Sequence, residues 1–487
     1  MIKTITTIVL CCFLAGFVFG QDEETNFSQV YRPQYHFTSP QNWIGSPSGV
    51  IYSEKDSLYH LFYEQSTVDV TPVYLNMGHA VSPDLVHWNC LPVALEPDDN
   101  TRDLYKCTIR AGSVLVDHQN RLGKQLGDQP SWLMFYTSVE CGIRLAYSTD
   151  AGKNWVKYGG NPLIPFKADE NARSPKVFWY DAGQCYVMVL ARNPESSDIP
   201  EGISFYTSGN LIDWTYQSHY IGPKGSPDMF QLPVNNHLDE TYWVVTDSLG
   251  SYMVGQFDGK RFKPETELLS GVSGTFRGAK TFAVADEKGT SRVLQLASIG
   301  DAQQPDMPFA GQLSIPVELK LRTYPEGIRL VKQPIEALEQ LQRKVISITD
   351  KNIIPGLNKN PIKRIKGDCF RLKGTFGLKS VSSFGFVIRV GKTGEGTEIR
   401  YDATRQQLFC LGATASLPPE DGKIKLDIWV DRSSVEIFAN DGKVVMSSVF
   451  TPVIDAEDCV LYNTGGELYI ENLEIYPLES VYGEGKK

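Results

Sequence analysis

The sequence predicts an all-β protein in which a β-propeller is followed by a β-sandwich. A polar turn that ends in an aromatic residue recurs at Ser82–Trp88, Ser148–Trp155 and Ser208–Trp214, with a degenerate copy at Phe257–Phe262. The closing aromatic residues lie roughly 50 to 65 residues apart, which is the spacing expected when each repeat forms one four-stranded sheet. We therefore interpret residues 21–335 as a propeller.

Short apolar and aromatic runs lie between these turns. Their length and their content of β-branched and aromatic residues favour strands over helices. They are Leu58–Tyr63, Trp132–Tyr136, Tyr186–Ala191, Tyr242–Val245 and Val293–Ala297.

The repeat fades after about residue 320, and a different pattern follows. Gln333–Leu341 could form one short helix, with Pro334 near its first turn, and we expect a helical and polar linker over residues 336–355. Alternating apolar patterns then return, and Asn440–Gly442 between two of them is a strong hairpin sequence. These features predict a β-sandwich over residues 356–487.

The first residues predict export. Met1–Gly20 combines Lys3, an apolar stretch from Ile8 to Phe19 and a small residue for cleavage, which is the pattern of a secretory signal peptide. A membrane anchor is disfavoured because the apolar stretch is shorter than the roughly 18 residues that a span requires. Asn26 begins an Asn-Phe-Ser glycosylation sequence. The sequence thus predicts a secreted glycoprotein.

Charge and cysteine content exclude several classes of function. Net charge is −10, and loss of Lys3 with the signal makes it −11, so we expect neither nucleic-acid nor anionic-membrane binding.

Seven of nine cysteines lie beyond the signal, an odd number that leaves at least one thiol free or paired between chains. No metal-ligand spacing is present, and no cofactor is predicted. The oligomeric state stays open.

Three short segments carry the functional information: Asn42–Gly49, Arg173–Lys176 and Gly225–Asp228. They resemble the motifs Trp-x-Asn-Asp-Pro-Asn-Gly, Arg-Asp-Pro-Lys and Glu-Cys-Pro-Asp of glycoside hydrolase family 32, the invertases and fructan hydrolases. The resemblance extends from about residue 32 to about residue 475 and includes Asp431–Phe438 in the second domain. It implies a propeller of five blades and β-fructofuranosidase chemistry.

Each of the three motifs lacks its catalytic carboxylate. Ser46 stands where the family has the nucleophile, Ser174 replaces the Asp that holds substrate hydroxyls, and Gly225 replaces the acid/base Glu. Retaining glycosidases need two carboxyl groups about 5 Å apart. Loss of the general acid alone costs on the order of 10²–10⁴ in rate. The resemblance therefore predicts a family member without hydrolytic activity.

The remaining frame could still hold a sugar. The residues that the resemblance points to as ligand contacts are Asn42, Trp43, Gln65, Arg173, Ser174 and Asp228. Trp43 is the predicted stacking residue, and its alternative role is as a core aromatic. Arg110 and Arg277 align with other pocket positions of the family, and Lys224 replaces a Trp. If these alignments hold, the pocket has exchanged acids for bases and attracts an anionic sugar; alternatively, these side chains are solvated at the surface.

Two other readings of the function stay open. The chain could be an active fructosidase that uses substitute residues, and Asp228 is the carboxylate nearest to the missing acid in sequence. Glu64, Asp98 and Asp99 have no motif behind them, and we expect them to be solvated at the surface. The chain could also be an extracellular storage or structural protein.

Overall fold

The computed structural model describes residues 27–97, 104–194, 200–285, 291–356 and 360–483. The predicted signal peptide, Asn26, Asp98 and Asp99 lie outside these residues. The described chain is almost entirely β-structure, and its strands form a five-bladed propeller followed by a two-sheet sandwich, as predicted.

The first four blades are four-stranded antiparallel sheets that follow one another along the chain. Blade one contains β1 (Asn42–Ser53), β2 (Leu58–Ser66), β3 (Leu75–Ser82) and β4 (Asn89–Leu95). Blade two contains β5 (Ile109–Asp117), β6 (Ser131–Ser138), β7 (Gly142–Ser148) and β8 (Val156–Lys157). Blade three contains β9 (Ala172–Tyr180), β10 (Cys185–Arg192), β11 (Gly202–Ser208) and β12 (Thr215–Ile221), with a short 3₁₀ turn at Asp181–Gly183. Blade four contains β13 (Asp228–Val234), β14 (His237–Thr246), β15 (Tyr252–Phe257) and β16 (Phe262–Pro264).

Blade five closes the ring. After the two-residue strand β17 (Ser273–Gly274) come β18 (Arg277–Ala285), β19 (Ser291–Gln303), β20 (Phe309–Leu313), β21 (Val317–Tyr324) and β22 (Gly327–Pro334). β20 pairs with β19 and also runs parallel to β1, with Asn42 opposite Phe309 and Trp43 opposite Ala310. The last blade is thereby hydrogen-bonded to the first, which removes an open sheet edge.

The recurring polar turn joins the third and fourth strands of a blade. In its first three copies a Ser hydroxyl bonds to the Asp or Asn two residues on, at 2.8–3.1 Å. The closing Trp donates its indole N–H to the carbonyl three residues back, at 3.0–3.1 Å. This shared hydrogen bonding explains why the polar residues and the aromatic recur together.

The second domain is a sandwich of a seven-stranded and a five-stranded sheet with its own buried core. Its strands are β23 (Ile346–Ile353), β24 (Phe370–Gly377), β25 (Ser383–Val390), β26 (Thr397–Asp402), β27 (Gln407–Cys410), β28 (Ala413–Ser416), β29 (Lys423–Asp431), β30 (Ser434–Ala439), β31 (Val444–Val449), β32 (Asp458–Thr464) and β33 (Leu468–Pro477). The predicted hairpin at Asn440–Gly442 joins β30 to β31, with φ between 46° and 88° at all three residues.

The predicted linker needs correction. Glu336–Leu341 forms a 3₁₀ helix, but Ile346–Ile353, within the range expected to be a linker, is strand β23 and pairs with β33. Most of β23 is exposed at the edge of its sheet, so its sequence lacks the apolar alternation of a half-buried strand.

Buried ionic contacts join the two domains. His36, which precedes the first blade, lies 2.8 Å from Asp431 and 3.1 Å from Glu436 of the sandwich, and all three side chains are buried. Asp431 also accepts backbone N–H groups from Gln34 and Tyr35. The Asp431–Phe438 segment thus holds the chain that leads into the propeller.

Candidate functional site

The three degenerate motifs meet at one cavity of about 650 Å³ at the mouth of the propeller. Ser46, Arg110 and Arg173 lie near the starts of the first strands of blades one to three, and Gly225 and Arg277 lie at those of blades four and five. Because the first strands pack side by side around the axis, their beginnings converge although they are far apart in sequence. The lining residues are Ser46, Glu64, Arg110, Thr137, Ser138, Val139, Glu140, Phe166, Asn171, Ala172, Arg173, Ser174, Gly225, Ser226, Ser248, Leu249, Arg277 and Gly278.

Ser46 occupies a wall where space is tight. A Cβ atom built on Gly278 would lie 2.2 Å from Ser46 Oγ, and one built on Gly45 would lie 2.2 Å from the Trp43 ring and 2.6 Å from Glu64. Gly45 stands where the family motif has Asn. The missing Asn side chain leaves the room that Trp43 and Glu64 now fill.

Glu64 is a carboxylate that the sequence analysis placed at the surface, and this placement is wrong. It is buried and lines the pocket beside Ser46. Its Oε1 accepts the Ala111 N–H at 2.7 Å, its Oε2 accepts the Ser46 N–H at 3.4 Å, and Arg110 approaches Oε2 at 3.7 Å. Glu64 therefore ties blade one to blade two and partly neutralises Arg110.

Gly225 has a backbone that suits glycine. Its φ is +73°, and a Cβ atom there would lie 2.4 Å from Ser248 Oγ. Ser248 is held in place because its N–H bonds to the Lys224 carbonyl at 3.0 Å and its carbonyl accepts the Gly278 N–H at 2.8 Å. The space beside Gly225 is thus occupied by a fixed turn.

Ser174 and Arg173 lie together on the blade-three wall. The Ser174 N–H donates to Thr137 Oγ1 at 2.8 Å, and the backbone at Ser174 is left-handed with φ 54°. Burial lowers the pKa of Arg173; the Glu201 carboxylate opposes this effect and the Arg110 guanidinium adds to it. Among the described residues Arg173 has neither a hydrogen bond nor an ion pair from its side chain, so its charge lacks a close counterion.

Asp228 lies beneath the pocket and does not line it. Its side chain is fully buried; Oδ1 lies 2.6 Å from Lys176 Nζ, and Oδ2 accepts the Thr281 N–H. The neighbouring Lys280 donates to the Pro227 carbonyl at 2.8 Å, and burial lowers the pKa of Lys280 to about 8. Lys176 of the second motif and Asp228 of the third therefore fasten blades three, four and five together.

Three other predicted ligand residues lie outside this lining. Trp43 is 5% exposed and packs with Leu75 and Ala310, which is the core role left open as its alternative. Asn42 pairs with Phe309 at the ring closure, and Gln65 donates to Ser39 Oγ at 3.3 Å. Phe166, which is 37% exposed, is the aromatic residue among the described lining.

The aligned basic residues divide into two groups. Arg110 and Arg277 line the pocket, as the alignment suggested. Lys224 is 69% exposed and pairs with Glu201 at 3.1 Å, so it matches the surface alternative. Arg277 is exposed at the mouth, and among the described residues its side chain has no hydrogen bond or ion pair.

A disulfide between Cys107 and Cys141 braces the rim. Cys107 and Val139 share a backbone hydrogen bond of 2.8 Å, and the Ser138 hydroxyl donates to the Cys107 carbonyl at 3.2 Å. Since Val139 and Glu140 line the pocket, this crosslink fixes part of its wall to the beginning of blade two. The sequence alone could not assign the pairing. The free cysteines among the described residues are Cys90, Cys185, Cys369, Cys410 and Cys459.

Several other lining residues were not predicted from the sequence. Phe166, Glu140, Ser248 and Leu249 lie in turns outside the three motifs. Ser248 and Leu249 follow Asp247, whose Oδ1 accepts the Leu249 N–H at 2.9 Å and shapes this turn. For Glu140, Ser248 and Leu249 the available signal was their position between the second and third strands of a blade, because such turns lie at the same end as the start of the first strand. Phe166 lies in the connection between blades two and three, which carries no such signal.

The pocket's chemistry follows from these groups. The described lining holds three arginines, two carboxylates, Glu64 and Glu140, and the two serines Ser46 and Ser174. Of the carboxylates, Glu64 has both oxygens engaged by backbone N–H groups. The arrangement offers hydrogen bonds, positive charge and one aromatic face, which are features of a polar binding site.

Comparisons with known proteins agree with the fold and the motifs. Residues 36–334 match the model of the glycosyl hydrolases family 32 N-terminal domain, and residues 336–477 match that of the family 32 C-terminal domain. This protein belongs to glycoside hydrolase family 32.

Individual relatives span nearly the whole chain. It is 34% identical to the levanase of Bacillus subtilis, over 99% of this chain and 76% of that protein. It is 29% identical to an extracellular exo-inulinase of Aspergillus awamori, over 94% of this chain and 96% of that protein. The crystal structure of the Aspergillus awamori exo-inulinase superimposes with a TM-score of 0.83 at 26% identity, covering 94% of this chain and all of that one. No helix among the described residues is long and apolar enough to cross a membrane.

Proposed function

We propose that this family 32 protein does not hydrolyse glycosidic bonds and instead binds a carbohydrate in the propeller pocket. The observation that carries this proposal is the convergence of Ser46, Ser174 and Gly225 on one cavity. The hydroxyls of Ser46 and Ser174 supply no negative charge to an oxocarbenium-like transition state, and Gly225 has no side chain that could transfer a proton. Ser248 beside Gly225 also leaves no room for a side chain to return there without rearrangement.

Several features of the pocket favour a sugar as its ligand. Ser174, Ser248 and Thr137 offer hydroxyls, and Phe166 offers a partly exposed aromatic face on which a sugar ring can pack. A cavity of about 650 Å³ lies within the range of small-molecule sites. A fructofuranosidase of Schwanniomyces occidentalis with the same fold has been solved in complex with fructosylnystose, at a TM-score of 0.78 and 23% identity.

Isothermal titration calorimetry with neutral and acidic mono- and oligosaccharides tests the binding half of the proposal. We expect saturable binding that weakens when Phe166→Ala removes the aromatic face. Tyr216→Ala is the matched control, because Tyr216 is a 54% exposed aromatic on the outer strand of blade three. Absence of saturable binding to every sugar would contradict this half and favour a storage or structural role.

A second candidate function rests on Glu64. A buried carboxylate beside Ser46 could act as a substitute nucleophile in an active fructosidase, with Glu140 as the other carboxyl group in the described lining. The two backbone N–H groups and Arg110 that hold Glu64 oppose this role, because an attacking carboxylate must give up such contacts. If Glu64 does act so, Glu64→Gln abolishes fructose release; if the site is silent, this substitution changes nothing measurable in that assay.

We also propose that the protein is exported. The N-terminal apolar sequence supports this, as does the Cys107–Cys141 disulfide, since such bonds persist mainly in oxidising compartments. N-terminal sequencing of protein from the culture medium should start just after Gly20. Glycosidase treatment should lower the mass of the wild type but not of an Asn26→Gln variant.

A further inference from the structure

The pocket has more unpaired cationic character than a site for a neutral sugar requires. Arg173 is half-buried, and Arg277 stands at the mouth; among the described residues neither side chain has an ion pair or hydrogen bond. Arg110 is drawn partly toward Glu64, at 3.7 Å, and Glu140 is exposed at the rim. Arg173 therefore retains a positive charge within the cavity that no described carboxylate neutralises at close range.

A second, independent feature points to the same place. Ser226 belongs to the pocket lining, and its Oγ is buried without a hydrogen-bond partner among the described residues. Leaving a buried hydroxyl unpaired is unfavourable, so a ligand atom that accepts a hydrogen bond from it is favoured. Ser226 adjoins Gly225, where the family carries the negative charge of a Glu.

We propose that the ligand is a sugar bearing an anionic group, and that Arg173 and Ser226 form the subsite for this group. The inference rests on the proposed function, because it assigns a ligand class to the same pocket. The negative charges that the protein has lost at Ser174 and Gly225 are then supplied by the ligand. Phosphate, sulfate and carboxylate share the required chemistry, since each accepts hydrogen bonds from a guanidinium and a hydroxyl.

The test compares matched ligands on the whole protein by calorimetry. The probes are fructose, fructose 6-phosphate, a sulfated monosaccharide, glucuronate and inorganic phosphate. We expect at least one acidic sugar to bind at least about tenfold more tightly than fructose and than inorganic phosphate, with an affinity that falls as salt is raised. The acidic sugar that binds best identifies the source of the anion.

Variants of Arg173 distinguish recognition of the anionic group from a purely structural role of this side chain. Arg173→Gln should weaken binding of that acidic sugar about tenfold or more, and by a clearly larger factor than it weakens fructose binding, while Arg173→Lys retains part of the affinity for the acidic sugar. The unliganded Arg173→Gln protein should melt no lower than the wild type, because an unpaired charge has been removed from a partly buried position. Arg405→Gln is the control, since it removes the same charge from an exposed turn of the sandwich.

Three outcomes would overturn the inference. Equal affinity for fructose and for every acidic sugar would show that the anion is not recognised, while the proposed sugar binding would stand. Inorganic phosphate binding as tightly as fructose 6-phosphate would show that no sugar is recognised with it. An unchanged affinity in both Arg173→Gln and Ser226→Ala, with the proteins folded, would place the anion elsewhere.

Discussion

Gly225, which we propose stands at the family's acid/base position, does more than omit a carboxylate. Gly225 has φ +73°, a region in which residues with a Cβ atom are strained, and Ser248 fills the adjoining space. Gly45 likewise admits Trp43 and Glu64 into space that an Asn would need. The pocket is therefore closely packed around Gly45 and Gly225, and a side chain added at Gly225 meets steric resistance.

Gly225→Glu should destabilise the protein by about 2–4 kcal/mol, because it combines a left-handed backbone with an overlap against Ser248. Urea unfolding measures this change. Adding Ser248→Gly should recover part of the loss. A Gly225→Glu protein as stable as the wild type would contradict the close packing described here.

Ser174→Asp is the matched reversion for that experiment. Ser174 also has positive φ, at 54°, but Asp tolerates this conformation better than most residues. We expect its free energy of unfolding to stay within about 1 kcal/mol of the wild type. A large loss at Ser174 would show that any added carboxylate, rather than the geometry at Gly225, is the cause.

At the scale of single residues, the sequence located the three degenerate motif positions but did not predict which other side chains surround them in the pocket. Ser46, Ser174, Gly225 and Arg173 could be placed together because their motifs lie near the starts of first strands, whereas Arg110 and Arg277 depended on alignment with other family positions. Glu64 could not, because its burial depends on Gly45 and on contacts with blade two. The aromatic of the lining is Phe166 rather than Trp43, since an apolar residue in sequence does not reveal whether it faces core or cavity.

At the scale of elements, the blades were predictable because their turns repeat a local hydrogen-bond pattern. Ser208, for example, accepts the N–H groups of Asn210 and Leu211 at 3.2 and 2.9 Å, and such contacts depend on a few adjacent residues. The edge strand β23 was not predictable, because its exposed polar residues resemble a linker. The disulfide was not predictable either, since it depends on the fold that brings Cys107 to Cys141.

Removing this disulfide should cost about 3–4 kcal/mol in the free energy of unfolding, because it closes a loop of 34 residues. The variant is Cys107→Ala with Cys141→Ala, measured by urea unfolding. A reducing agent should destabilise the wild type by a similar amount and leave the variant unchanged. Cys185→Ala, at a partly exposed free cysteine, is the control and should be nearly neutral. A wild type that is insensitive to reduction would contradict the pairing.

At the scale of the whole molecule, His36 joins the propeller to the sandwich. Burial alone would lower the pKa of His36, but hydrogen bonds with Asp431 and Glu436 and their negative charge outweigh it and raise the pKa to about 9. Glu436 also accepts the Ile315 N–H at 2.7 Å, so this cluster contacts blade five as well. The charged imidazole therefore stabilises the contact between the domains.

This linkage predicts a pH dependence of stability. Because the folded pKa is above the unfolded value of 6.5, the folded state holds the extra proton, and the stabilisation is complete below pH 6.5. This stabilisation should be lost as the pH rises through about 9, by on the order of 3 kcal/mol.

Urea unfolding between pH 6 and pH 10 measures this loss. His36→Gln should be less stable at pH 6 and should lack the decline, whereas His87→Gln, at a partly exposed histidine, should keep it. An identical pH profile in His36→Gln and the wild type would contradict the account of the interface.

The central claim is that a family 32 propeller persists here without family 32 catalysis. Fructose release from sucrose, raffinose and inulin by the purified wild-type protein tests it most directly, with an active levanase assayed alongside. We predict release no greater than in the protein-free blank. Release above the blank that disappears in Glu64→Gln would contradict the claim and establish Glu64 as a replacement for the lost nucleophile.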